Sequence, residues 1–289
     1  MIDLDPPKPV KRQRMRCMEI WGGNRAIEKS FEAPGLDIFV YSQPFQDAEA
    51  GGDIYYLTSC ASGRISRFLL ADVSGHGEGA AAMASSLKEM LRSNVNKINQ
   101  ESFVSAMNRK FGALGDESGF ATAVVATFFE PSQSLDISVA GHPYPIYFQS
   151  EKKRWVHLDP ASTDAGFENM PLGIVDSSQY PGRKIKTTAG DMFLLYTDAF
   201  IESFTDNVND TLLGVKGILK LLNQSELSPS EVIPHLREKI GVMADGNLLD
   251  DDASLILGHF TDTKVRMRDN LLAPIRLLGD VCDATDLME

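Results

Sequence analysis

Four aspartates sit at the edges of apolar runs: Asp53 in Gly51-Gly52-Asp53, Asp72 in Ala71-Asp72-Val73-Ser74-Gly75-His76-Gly77, Asp198 in Leu195-Tyr196-Thr197-Asp198, and Asp251 in Asp250-Asp251-Asp252-Ala253. Three of the runs, Phe68 to Val73, Met192 to Thr197 and Ala253 to Leu257, read as buried strands. Buried like charges repel, and an isolated carboxylate leaving water neutralises rather than staying charged. Carboxylates gathered at strand ends therefore need a cation, and a hard divalent metal with oxygen ligands is the natural one. Taken singly, each aspartate has a blander reading: an Asx turn or helix cap for Asp53, Asp72 and Asp198, and a solvated acidic turn for Asp250-Asp251-Asp252. The repetition of one pattern at four places lifts metal-assisted chemistry above its parts.

Other chemistries find less support. His76, in the glycine turn beside Asp72, is a candidate proton donor or substrate contact, while His142 in Ala140-Gly141-His142-Pro143 reads as a residue that fixes a turn by hydrogen bonding. Neither has the i, i+4 partner of a helical zinc site. There is no Gly-x-Ser-x-Gly elbow, and Cys17, Cys60 and Cys282 show neither zinc-ligand nor redox spacing, so covalent catalysis by Ser or Cys is not expected. Gly75-His76-Gly77-Glu78-Gly79 lacks the Gly-Lys-Ser/Thr ending of a nucleotide loop. Gly51-Gly52-Asp53 is similar to the start of the diguanylate cyclase signature, but Ile54-Tyr55 departs from it.

The elements that must position these residues are mostly strands. Strand patterns cover 36–43, 52–60 and 64–73, then 121–129, 134–140, 144–149 and 153–158, then 183–188, 191–197 and 253–260. Met83, Leu87, Met90, Leu91, Val95 and Ile98 recur at the helical period, predicting a helix over 78–98, and Phe103, Val104, Met107 and Phe111 predict another over 101–114. Further helices are predicted over 214–223 and 229–243, the latter opened by Ser228-Pro229. Strands joined by short turns, with helices in pairs, predict an α+β fold of antiparallel sheets covered by helices rather than a parallel βαβ layout. The division is a basic, proline-bearing N-terminal arm over 1–35, flexible to about residue 16, a domain over 36–260, and a C-terminal tail over 261–289 that reads as a broken helix around Pro274.

At 289 residues, 43% hydrophobic and 24% charged, the chain has the composition of a globular protein. Its 28 basic and 40 acidic residues give a net charge of −12, which repels nucleic acid and anionic membrane. No apolar stretch approaches the roughly 20 residues that span a bilayer. No apolar h-region follows the basic N-terminus, and the odd, scattered cysteines fit a reduced setting, so the expected location is cytoplasmic.

Taken in order, Gly51-Gly52-Asp53-Ile54-Tyr55, Ala71-Asp72-Val73-Ser74-Gly75-His76-Gly77, Ala140-Gly141-His142-Pro143, Pro171-Leu172-Gly173-Ile174, Leu195-Tyr196-Thr197-Asp198 and Asp251-Asp252-Ala253-Ser254-Leu255 resemble the metal-dependent serine/threonine phosphatases of the protein phosphatase 2C (PPM) type, in the bacterial branch of sporulation stage II E and sigma-factor-regulator phosphatases. The resemblance spans about residues 36 to 260. It implies a four-layer α-β-β-α sandwich of two antiparallel sheets, with a binuclear Mn²⁺ or Mg²⁺ centre at one edge. By position, Asp53 and Asp72 would hold the metal pair, the backbone carbonyl of Val73 would add a ligand, and Asp198 and Asp251 would complete the second metal's set. Two such cations about 4 Å apart lower the pKa of a bridging water and neutralise phosphoryl oxygens during in-line attack.

There are departures from the family pattern. Ala199 stands where the family usually has glycine, His76 where this branch often has lysine or asparagine, and His142 where eukaryotic members carry an aspartate for a third metal, so two sites are expected. No arginine matches the phosphate-binding arginine of the eukaryotic members. The resemblance implies a phosphorylated protein substrate, by analogy an anti-sigma-factor antagonist, with a homodimer as one route of regulation; the acidic net charge leads us to expect no nucleic-acid or membrane partner. The competing class is a catalytically silent module that keeps the fold as a switch; the four carboxylates argue against it, and Ala199 argues for it.

Overall fold

The computed structural model of the protein describes residues 13–15, 19–60, 63–73, 78–94, 99–113, 119–158, 168–264 and 282–283. The strands in chain order are β1 (Gln13–Arg14), β2 (Glu19–Gly23), β3 (Ile27–Ala33), β4 (Leu36–Gln43), β5 (Asp53–Cys60), β6 (Ile65–Val73), β7 (Ala121–Phe129), β8 (Ser134–Ala140), β9 (Ile146–Gln149), β10 (Arg154–His157), β11 (Arg183–Lys186), β12 (Met192–Tyr196), β13 (Ala253–Phe260) and β14 (Cys282–Asp283). The helices are α1 (Glu78–Asn94), α2 (Gln100–Gly112), α3 (Ala199–Glu202), α4 (Gly214–Asn223) and α5 (Val232–Gly241).

The strands form two sheets, one in the order β1-β3-β4-β13-β12-β9-β10 and the other in the order β11-β8-β7-β6-β5-β2-β14. Every pairing is antiparallel except the two-residue parallel pairs of β1 with β3 and β14 with β2 at the rims. The expected α+β sandwich is what the chain adopts.

Side-chain alternation explains the unbroken apolar strands. Along β12, Phe193 and Leu195 face the core between the sheets, with Tyr55, Phe68, Leu70, Val124 and Ile256. Leu194 and Tyr196 face the other way, against Ile218 and Leu222 of α4 and Leu236 and Ile240 of α5. On β6, Leu69, Ala71 and Val73 turn outward to Leu87 and Leu91 of α1 and Phe103 and Met107 of α2. A strand buried on both faces has no room for polar alternation, so MFLLY and FLLADV read as continuous apolar runs. α2 is capped by Asn99, whose side chain accepts from the Ser102 amide at 2.7 Å.

Several boundaries differ from expectation. The sheets take in β2 and β3, which lie in the region assigned to the arm; Gly22-Gly23 and the charges Glu28, Lys29 and Glu32 hide their strand pattern. Gly22 has φ +147°, and a Cβ there would fall 2.0 Å from the Tyr55 carbonyl, so only glycine fits. Most of the tail expected as a broken helix lies outside the described residues, while Cys282–Asp283 adds β14 to the rim of a sheet. The helix expected from residue 229 starts at Val232, after a turn in which the Glu231 carboxylate accepts from the Ser228 amide (2.8 Å) and hydroxyl (2.6 Å). α3, expected as loop, is a single turn after Asp198. Among the described residues no helix is long and apolar enough to cross a membrane.

An aromatic cluster ties the sheets together: Phe193 lies 5.2 Å from Phe68 and 5.7 Å from Phe260 between ring centroids. Gly258 leaves the space for that ring, since a Cβ there would lie 2.1 Å from Phe193. Replacing the fully buried Phe193 by alanine is expected to cost about 3–5 kcal/mol of folding free energy. Urea unfolding in the presence of EDTA checks this.

Candidate metal centre

Strands β5 and β6 pair with Asp53 directly opposite Asp72. By alternation Asp53 shares the face of Tyr55 and Leu57, and Asp72 that of Leu70 and Phe68, which is the face turned toward the other sheet. The two carboxylates thus stand where the inter-sheet core meets the edge of the sandwich. The other sheet brings its own pair to this edge: Asp198 two residues past the end of β12, and Asp251 two residues before the start of β13.

Asp53 is 2% exposed, and the Thr197 hydroxyl donates to its Oδ2 at 2.8 Å. Thr197 Oγ1 also accepts from the Ser254 amide at 3.0 Å, so one hydroxyl connects β12, β13 and β5. Burial pushes the Asp53 carboxyl well above the usual carboxylate range; the charge of Asp72 adds to this, and the Thr197 and Ser254 hydrogen bonds work against it. Asp72 is pushed up to about 7, first by burial and then by the charges of Asp198, Asp251, Asp252 and Glu202. Asp251 is raised by burial, with the Asp252 amide opposing and Asp198 and Asp252 adding. These couplings show that carboxylates more than 100 residues apart in sequence act on one another in the fold.

Asp252 has a different task from Asp251. Its Oδ1 accepts from the Phe45 amide at 2.7 Å and its Oδ2 from the Gly52 amide at 2.6 Å. It thereby fixes the turn that delivers Asp53. A Cβ on Gly51 would fall 2.3 Å from Asp252 Oδ1, which explains the glycine. Asp251 accepts only from the Asp252 amide, at 2.8 Å, among the hydrogen bonds resolved for it. Val73 ends β6, 2% exposed, with its amide on the Gly52 carbonyl at 3.2 Å, beside Asp72.

The donor set, carboxylates and a backbone carbonyl, fits a hard divalent cation. Among the described residues, no three His, Cys, Asp or Glu side chains are grouped closely enough to hold a metal ion as they stand. His76 and the glycine turn 74–77 lie outside the described residues. Ala199 opens α3 with Asp198 already helical (φ −62°, ψ −28°), and its own backbone is not among the positive-φ positions, so alanine suits the place where the family usually has glycine.

His142 is 4% exposed, and its Nδ1 lies 2.8 Å from Thr122 Oγ1, on the residue paired with Asp72 across β6 and β7. Its buried Nε2 has no hydrogen-bond partner among the described residues. It is a packed residue holding the turn next to the acidic edge. Three contributors escaped the sequence reading: Thr197, the backbone-binding role of Asp252, and Glu202. Only Thr197 carried a signal, as the next position after Phe193 and Leu195 on the inter-sheet face.

The fold is that of protein phosphatase 2C domains. Residues 62–260 match the Stage II sporulation protein E (SpoIIE) family, and the chain belongs to that family. Among solved structures, it is similar to the RsbU and RsbW domains of Rv1364c from Mycobacterium tuberculosis (TM-score 0.64, 23% identity, 83% of this chain and 64% of that one). It is similar also to the phosphatase domain and a regulatory-domain fragment of SpoIIE from Bacillus subtilis (TM-score 0.64, 14% identity, 79% and 64%). A third likeness is to RsbX in complex with magnesium (TM-score 0.59, 16% identity, 81% and 100%). The chain thus spans 64% of the length of each of the first two.

Burial lowers the His142 pKa to about 3, against about 6.5 in an unfolded chain. Between those values the unfolded chain binds the proton and the folded one does not, so the contribution of a neutral His142 is complete above about pH 6.5 and is lost as pH falls. The stability difference between the wild type and His142→Gln is expected to shrink on acidification from pH 6.5, by at most about 1.4 kcal/mol per unit. Denaturant unfolding of both proteins at a series of pH values measures it.

Proposed function

We propose that the protein is a metal-dependent phosphatase that hydrolyses phosphoserine or phosphothreonine on a signalling protein. Asp53, Asp72, the Val73 carbonyl, Asp198 and Asp251 are the proposed ligand set for two Mn²⁺ or Mg²⁺ ions. The observation that carries the reading is the meeting at one edge of Asp53 and Asp72, opposite each other on β5 and β6, with Asp198 and Asp251 from the other sheet near enough to raise Asp72. When bound, such a metal pair supplies an activated water nucleophile and offsets charge on the phosphoryl oxygens. The chain's own residues set the geometry: Thr197 orients Asp53, Asp252 holds the Gly51-Gly52 turn, and the β5–β6 register keeps Asp72 facing Asp53. Because the nucleophile is a water, no serine or cysteine is needed.

The proposed catalytic unit is residues 36–260 together with β2 and β3. The proposed substrate, by analogy with the sigma-factor regulators, is a small phosphorylated anti-sigma-factor antagonist or similar domain in a bacterial cytoplasm, and self-association is one proposed route of control. RsbX, one of the structural neighbours, was solved with magnesium, which supports a divalent ion.

Purified protein with Mn²⁺ is expected to release phosphate from a phosphoserine peptide and from p-nitrophenyl phosphate. Asp72→Asn is expected to lower kcat/KM at least about 100-fold, since the metals supply several kcal/mol of the catalysis. No phosphate release by the wild type, together with Mn²⁺ binding unaltered by Asp72→Asn, contradicts the proposal and favours a silent module.

A further inference from the structure

Beside the acidic edge, the hairpin after α3 and the turn before β13 line an open cavity of about 270 Å³. Asp251 belongs to both the cavity and the candidate metal centre. Phe204 and Leu212 form an apolar wall, and Glu202, Asp245 and Asp250 an acidic one; no lysine, arginine or histidine lines it among the described residues. Phe204 and Leu212 are 38% and 51% exposed.

The walls are held in place. Phe204 and Leu212 face each other in an antiparallel bridge, closed by the Thr205 amide on the Thr211 carbonyl (2.8 Å) and the Leu213 amide on the Ser203 carbonyl (2.7 Å). Asn247, 7% exposed, accepts from the Phe204 amide at 2.8 Å and donates to the Phe204 carbonyl at 2.9 Å. The Asp206 carboxylate accepts from the Val208 and Asn209 amides, both at 2.8 Å, and Asn207 Oδ1 accepts from the Asp245 amide at 2.7 Å. A recess with its backbone fixed in this way loses little conformational entropy when it takes a ligand.

We propose that this cavity is a specificity subsite for a lysine or arginine side chain that flanks the phosphorylated residue of the protein substrate. The inference rests on the phosphatase reading and deepens it. A long basic side chain matches both walls: its alkyl stem covers Phe204 and Leu212 while its charged head meets Glu202, Asp245 and Asp250. A glutamate or aspartate at that position would face like charge, and a purely apolar side chain would take water from the carboxylates without replacing it. Because Asp251 is common to both, a side chain in the cavity belongs to a residue close in sequence to the phosphorylated one.

The test is a set of phosphoserine peptides carrying lysine, alanine or glutamate at each of the flanking positions, assayed with Mn²⁺ alongside p-nitrophenyl phosphate. At one of those positions kcat/KM is expected to be at least tenfold higher for lysine than for glutamate, chiefly through KM. That ratio is expected to fall toward one in the Glu202→Gln/Asp245→Asn double variant, and also in Leu212→Arg, which places the chain's own cation at the cavity. Equal rates for all peptides with p-nitrophenyl phosphate still hydrolysed overturn the subsite alone. A lysine preference that survives in both variants also overturns it. Hydrolysis of none of these substrates overturns the subsite together with the phosphatase reading.

Discussion

Crowded negative charge at the place where two apolar sheets end is the constraint on which the rest of the structure depends. Asp53 is almost wholly enclosed and faces Asp72, with Asp198 and Asp251 reaching the same edge. Burial and like charge both disfavour ionised carboxylates there, so the surrounding structure must hold them against that tendency. The Thr197 hydroxyl is the most economical part of the answer, accepting from Ser254 and donating to Asp53 so that one oxygen joins the two sheets. A one-residue slip of β5 on β6 would set Ile54 where Asp53 stands and turn the carboxylate into the apolar layer under α1 and α2.

Rigid sheet ends and adaptable connections divide the work. Residues that meet the acidic edge from within the sheets, Asp53, Asp72 and Thr197, are placed by strand register and by packing on both faces. Asp251 and Asp252 arrive on the turn before β13 and Glu202 on the short helix α3, and the connections nearby are held by side chains bonded to backbone: Asp252 on Phe45 and Gly52, Asn247 on Phe204. Likeness to solved structures at 14–23% identity goes with a shared fold.

Much of this was legible in the sequence because strands buried on both faces leave unbroken apolar runs, as in FLLADV and MFLLY, and because one pattern, an aspartate at the edge of such a run, recurs at four places. β2 and β3 were not legible, since Gly22-Gly23 and an alternating charged strand resemble a polar arm until β5 and β4 are there to pair with them. α3 is too short for any periodicity to register. Thr197 looked like the last residue of a strand, and its value comes only from an Asp53 that lies 144 positions away in sequence. Asp252 was set apart from Asp251 by motif position alone; the physical difference between them, two backbone amides on one carboxylate, exists only in the fold.

In the proposed function, Asp53, Asp72, Asp198 and Asp251 gather to hold two divalent cations side by side. Electron paramagnetic resonance during Mn²⁺ titration addresses it most directly, because neighbouring manganese ions couple magnetically and isolated ones do not. Two equivalents are expected to bind, with a coupled signal in the wild type that is absent from Asp72→Asn. A single uncoupled ion, or a coupled signal that survives in Asp72→Asn, would contradict it.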